Sequence, residues 1–247
     1  MIFRRLTQHL RDQNWTAIFI EFVLLVLGVF LGIQVANWND DRQQAARQAH
    51  YLERLRVDFV GIRDRIQEHF LIYRDAVDGG ELLLSIVRMD DASMRDAKID
   101  DKRMEDGFNA LVSSRIPPPL PATYVEMRSE GQLSRIENPV LRDRLAEYDR
   151  MTGLLQEAAR LTGDNMNLQA PVLARYFVTR TVGEERALSG IREQLISYDI
   201  AGMRSDRDFA VAVKMLSRNA NNALAVRKRQ LALIDEILAT LDPESAP

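Results

Sequence analysis

A chain of 247 residues with a net charge of −3 is long enough for one or two domains with a sizeable core. It contains no cysteine, which excludes disulfides, thiolate chemistry and most zinc frameworks. The mildly acidic, evenly mixed charge carries no electrostatic footprint for nucleic acid, and no nucleic-acid partner is expected.

The chain opens with a basic segment, residues 1–14, holding Arg4, Arg5 and Arg11. From Ala17 to Ala36 the residues are apolar apart from Glu21 and Gln34. At 1.5 Å per residue such a run is about 30 Å long, the thickness of a bilayer's hydrocarbon core. Trp15 and Trp38 bracket it, and Gln34, Asn37 and Asn39 join Trp38 at its exit. Amphipathic rings and amides of this kind favour the membrane interface, so residues 15–38 are expected to form a transmembrane helix with those five residues as anchors. The run is long for a signal peptide and no A-x-A-like cleavage site follows it, so the span is expected to be retained. Its lipid contact is the first partner implied. The arginines before the span, with Asp40 and Asp41 after it, favour an inside N-terminus and a large domain on the outer side.

Within the span, Glu21, Leu25, Gly28 and Gly32 recur at steps of four, three and four and so share one helical face. Gly28 and Gly32 form a G-x-x-x-G pair, which lets two backbones approach closely in lipid. A carboxyl on that face is expected to find a proton or a hydrogen-bond partner on a neighbouring span, or to reach up to the headgroups. The face is a candidate association seam, either between copies of the chain or with another membrane protein.

Residues 39–247 read as a helical extramembrane domain. Leu52, Leu55, Phe59, Ile62, Ile66, His69 and Tyr73 alternate steps of three and four, a heptad seam. Such a seam serves a coiled coil or packs within the chain; further helices elsewhere in the sequence favour the second. The pattern weakens at Gly79-Gly80, and the charged run "MDDASMRDAKIDDKR" reads as a loop. "RIPPPLPATY" breaks any helix and reads as a rigid connector. A short helix is expected up to a C-cap near Gly131, then a helix capped by Asn138-Pro139 and running to about Leu161. Gly163, Pro171, Gly183, Gly190 and Gly202 suggest several shorter helices, with no strand alternation. "SDRD" resembles a capping box at Ser205 and Asp208. It opens a long terminal helix whose stripe is Phe209, Val213, Leu216, Ala220, Leu224, Leu231, Ile234, Leu238 and Leu241. The expected fold is all-α: one transmembrane helix continuing into a helical bundle with long first and last helices. The first and last helices are expected to pack antiparallel.

Little in the chain points to catalysis. The histidines are His9, His50 and His69, too few and too scattered for a di-iron or zinc centre. No Walker loop, dinucleotide fingerprint, zinc-protease helix or G-x-S-x-G elbow is present. No catalytic, cofactor-binding or metal-binding residue is expected, and neither is enzyme activity. "RKR" at 227–229 reads as the solvated side of the terminal helix.

Two segments resemble a family of uncharacterised bacterial single-span membrane proteins. The first carries Glu21, Gly28, Gln34, Asn37, Trp38, Asn39, Asp40 and Arg42, a Gln-x-x-Asn-Trp-Asn exit from the span. The second carries Tyr124, Ser129, Gly131, Leu133, Leu141, Arg142, Leu145 and Tyr148; Tyr148-Asp149 stands where that family often has paired tyrosines. The resemblance implies a bacterial inner membrane and an architecture, not a reaction. The expected role is a membrane-anchored structural or interaction protein that binds itself or protein partners. The alternative is a ligand-sensing bundle that signals through a separate partner.

Overall fold

The computed structural model describes residues 15–113, 115–182 and 192–242, apart from the side chains of 15–18 and 192. Helix α1 runs Trp15–Arg88, α2 Asp91–Asp96, α3 Asp101–Leu111 and α4 Ala122–Ser129. A 3-10 turn, Gln132–Arg135, leads into α5, Pro139–Ala174. Strands β1 (Phe177–Val182) and β2 (Arg192–Tyr198) precede α6 (Ile200–Ser205) and α7 (Arg207–Leu241). The fold is all-α with long first and last helices and one two-stranded ribbon. Two units divide the chain at Tyr51/Leu52.

In the second unit the heptad seam is core. Leu55, Phe59, Ile62 and Ile66 of α1 are each 2% exposed or less. Beyond Tyr73 the same face continues through Ala76, Leu83 and Ile86, also buried. Helix α7 runs alongside α1, and three points mark the course of the pair. Gly80 meets Ser217, His69 senses the charge of Arg227, and Arg56 senses that of Asp242. Each step towards the N-terminus of α1 is matched by a comparable step towards the C-terminal end of α7. The two helices are antiparallel, as their matched stripes imply.

Helix α5 is antiparallel to α7 as well. Asn219 Nδ2 donates to Asn165 Oδ1 at 3.0 Å, Gln230 Nε2 to Tyr148 Oη at 3.3 Å, and Arg144 pairs with Glu236 at 2.8 Å. It follows that α1 and α5 are parallel, with Phe59 edge-on to Tyr148 at 5.1 Å between ring centres. Parallel neighbours need a long crossover, and residues 89–138 supply it. The proline segment is the return leg. Tyr73 Oη donates to the Arg115 carbonyl at 3.4 Å, and the Thr123 amide donates to Asp58 Oδ2 at 2.9 Å. The chain from 115 to 123, at about 3.1 Å per extended residue, covers about 25 Å. Helix α1 from 58 to 73 covers about 22 Å. An extended proline run therefore retraces four turns of helix in half the residues. Pro117, Pro118 and Pro121 are buried, which makes the run a packed strap. A bidentate Arg54–Glu126 pair, at 3.2 and 2.7 Å, fastens the helix that follows.

Several expectations need correction. "MDDASMRDAKIDDKR" is not a loop but holds α2 and the start of α3, each begun by an aspartate. Asp90 accepts from the Ser93 amide at 2.7 Å, and Asp100 from the amides of Lys102 and Arg103 at 2.9 and 3.2 Å. Clustered Asp signals loops and N-caps alike. Helix α5 passes Leu161 and Gly163 and carries Pro171 only in its last turn. The middle region is therefore one long helix followed by a ribbon. Strand β1, rich in Thr and Val, pairs antiparallel with β2, with a bulge between Val178 and Thr179. The outer edge of β2 is covered by α3: Asn109 exchanges two hydrogen bonds with the Glu193 backbone at 2.7 and 3.0 Å, and Leu195 N donates to Glu105 Oε2 at 2.9 Å. The cap of α7 is Asp206, whose Oδ1 accepts from the Asp208 amide at 2.8 Å, one residue past the expected Ser205. Asn138 caps α5 as expected, and Gly131 has the left-handed φ of 70° that suits the residue after a helix end.

Gly79 and Gly80 do not end a helix. They lie inside α1, where Gly79 meets the backbone of Gly107 on α3 and Gly80 meets Ser217. Both are contact points of close approach.

Candidate functional site

Two places in the chain stand out, one in each unit. The first is the apolar part of α1. It contains an 18-residue window of mean hydropathy 2.4, none of it buried in the chain. Phe19, Phe22, Leu24, Leu25, Val29, Phe30, Leu31 and Val35 are each more than half exposed. This is one segment long and apolar enough to cross a membrane, and in water it would be a very large exposed apolar surface. Glu21, Leu25, Gly28 and Gly32 lie on this helix, all exposed, and a Cβ added at either glycine would meet nothing within 4 Å. The helix thus brings these residues to one exposed face, with nothing near either glycine among the described residues. Gln34, Asn37, Trp38 and Asn39 follow, also exposed. Trp15 begins the helix, but its side chain lies outside the described residues.

The second place was not expected. Along α7 the stripe Phe209, Val213, Leu216, Ala220 resumes at Leu233 and Ile234, and the gap is filled by polar residues. Arg227 is 4% exposed and Gln230 is fully buried. Arg227 thus belongs to the core face, while Lys228 and Arg229 remain in solvent as expected for "RKR". The signal was available, since 227 lies seven residues past Ala220 and a heptad face repeats every seven. Its charge disguised it.

Around Arg227 the bundle core is polar. Its Nη1 donates to Gln230 Oε1 at 2.6 Å, and Tyr73 accepts from the same guanidinium. Gln230 passes the network on to Tyr148, whose hydroxyl is pushed up in pKa first by burial. Thr152 Oγ1 donates to the Tyr148 carbonyl at 2.9 Å. Burial lowers the pKa of Arg227 itself, against the pull of Tyr73. His69 is brought to the same layer, with Nδ1 buried and without a hydrogen-bond partner. Its pKa is lowered to about 4, by burial first and then by the positive charges of Arg227, Arg115 and Arg65. The imidazole is neutral at pH 7, a core residue in a cationic field. Beside it a cleft of about 130 Å³ opens between α1, α5 and α7.

Among the described residues no cluster of His, Asp or Glu could hold a metal ion. His50 is exposed on α1, and His9 lies outside the described residues. Comparison with protein-family models, with curated proteins and with solved structures finds no match.

Proposed function

We propose that the chain is a single-pass membrane protein whose span and helical bundle serve interaction, not catalysis. One observation carries this reading: α1 bears an exposed apolar segment of spanning length, while the hydrophobic seam of the second unit is buried within its own chain. The bundle seam is satisfied at home, so the span face is the surface left to associate. In this reading the membrane is the inner membrane of a bacterium, the setting implied by the Gln34 to Asn39 motif, and the bundle lies on its outer side. Membrane lipid is one partner; the other is a second copy or another membrane protein.

The association face is tested in a transmembrane association assay on residues 14–42. Glu21, Gly28 and Gly32 share the face, and isoleucine at either glycine blocks close approach while keeping the span hydrophobic. Gly28→Ile and Gly32→Ile are expected to abolish most of the signal, and Glu21→Gln to lower it less, because a shallow acid can reach the headgroups. An unchanged signal in both glycine variants would remove self-association through this face. A second reading, a ligand-sensing bundle acting through a separate partner, is favoured by the arginine-lined cleft.

A further inference from the structure

We propose that the cleft beside Arg227 binds a small amphipathic carboxylate, an anion of about six non-hydrogen atoms with a short apolar tail. The proposal deepens the ligand-sensing reading and depends on the bundle alone, not on the span.

The first argument is charge. An arginine taken out of water normally brings an acid with it, because a buried unpaired cation is costly. Elsewhere the chain follows that rule even near the surface, in Arg54–Glu126, Arg128–Asp149 and Arg144–Glu236. Arg227 is far more buried than any of these, yet among the described residues its partners are the neutral Gln230 and Tyr73. Arg115 lines the same cleft and no Asp or Glu does. His69 lies in the same field, its pKa lowered first by burial and then by the charges of Arg227, Arg115 and Arg65. Among the described residues Arg227 itself has no carboxylate partner, and an anion supplied from outside would balance its charge.

The second argument is shape. The lining combines Arg227, Asn222 and Thr162, all able to donate hydrogen bonds, with the apolar side chains of Leu155, Ala159 and Val226. A volume of about 130 Å³ compares with a cavity of about 150 Å³ that admits benzene. A planar guanidinium fork matches a carboxylate, and the apolar wall suits a short hydrocarbon tail. Inorganic phosphate would leave that wall uncovered. Apart from Arg115 on the proline strap, the lining comes from the interiors of three helices, so no helix N-terminus competes as the anion contact.

The test is thermal unfolding of the full chain in mild detergent, with butyrate, its neutral isostere butyramide, or inorganic phosphate at matched ionic strength. Butyrate in hundredfold excess over its dissociation constant is expected to raise the midpoint by about 5 °C. Butyramide and phosphate are expected to leave it unchanged. Arg227→Met should abolish the butyrate shift yet melt no lower than the wild type, because an apolar side chain replaces an uncompensated buried charge. Ala159→Leu, which fills the apolar wall with every charge in place, should also lose the shift. Equal shifts from butyrate and butyramide, or no butyrate shift, would overturn the site. A phosphate shift as large as butyrate's would overturn the carboxylate. Retention of the full shift in Ala159→Leu would move binding elsewhere, and an Arg227→Met midpoint far below wild type would make the guanidinium a structural hub. None of these outcomes bears on the span, whose association assay is read separately.

Discussion

Phe59→Ala lowers the thermal midpoint of the full chain in detergent by about 10 °C, the larger of two expected stability effects. Phe59 is fully buried on α1 and stands edge-on to Tyr148 of α5, 5.1 Å between centres. Tyr148 in turn accepts from Gln230 of α7, so one ring bears on all three long helices. Truncating a buried phenylalanine costs about 3–5 kcal/mol, through lost transfer energy and the cavity left behind. An edge-to-face aromatic pair adds about 0.5–1.5 kcal/mol to simple burial. At about 2–4 °C per kcal/mol for a protein of this size, the shift is easily measured. Leu71→Ala on the same helix removes a side chain 52% exposed and should change stability by less than about 0.5 kcal/mol. If the two variants melted alike, the Phe59 layer would not be the core.

Gly107→Ala is expected to destabilise by about 3 kcal/mol, although alanine is the better helix former. A Cβ at Gly107 would stand 2.6 Å from the Cα of Gly79, and a Cβ at Gly79 would collide with the Gly107 backbone. Backbone faces backbone, so no rotamer change relieves the clash; α3 must move away from α1. Gly61→Ala gives the opposite sign. That glycine is also inside α1, its added Cβ would meet nothing within 4 Å, and the substitution should stabilise by about 0.5–1 kcal/mol. Urea unfolding of both variants checks the contrast. A stabilising Gly107→Ala would mean that α1 and α3 do not touch there.

What the sequence reveals follows from which interactions leave a period. Leu55, Phe59, Ile62 and Ile66 repeat at heptad spacing because a helix face must be apolar to be buried, and that seam was legible. The apolar segment of spanning length was legible for the same reason, as were the Asn138 cap and the Gly131 turn, where the backbone demands particular residues. The β1–β2 ribbon was not, because two strands of six or seven residues give too little alternation and lie among glycines that suggest breaks. Helices α2 and α3 were hidden because Asp90 and Asp100 are equally at home in a loop. The parallel course of α1 and α5 has no sequence signature, since a proline strap fixes which ends meet only once it is packed. Arg227 occupied a core position under a surface residue's identity. The face of Glu21, Leu25, Gly28 and Gly32 follows from helical spacing alone.

The central claim is that the apolar part of α1 crosses a membrane and carries the bundle to the outer side. The most direct measurement is phosphatase activity in alkali-washed membranes from a bacterial host expressing the chain with alkaline phosphatase fused after Leu241. Alkali strips peripheral proteins, and the reporter is active only outside the cytoplasm. The account predicts an active fusion that stays in the membrane pellet and is released by detergent. A fusion released into the alkaline wash would contradict the span, and a fusion retained in the pellet but inactive would contradict the outer placement of the bundle.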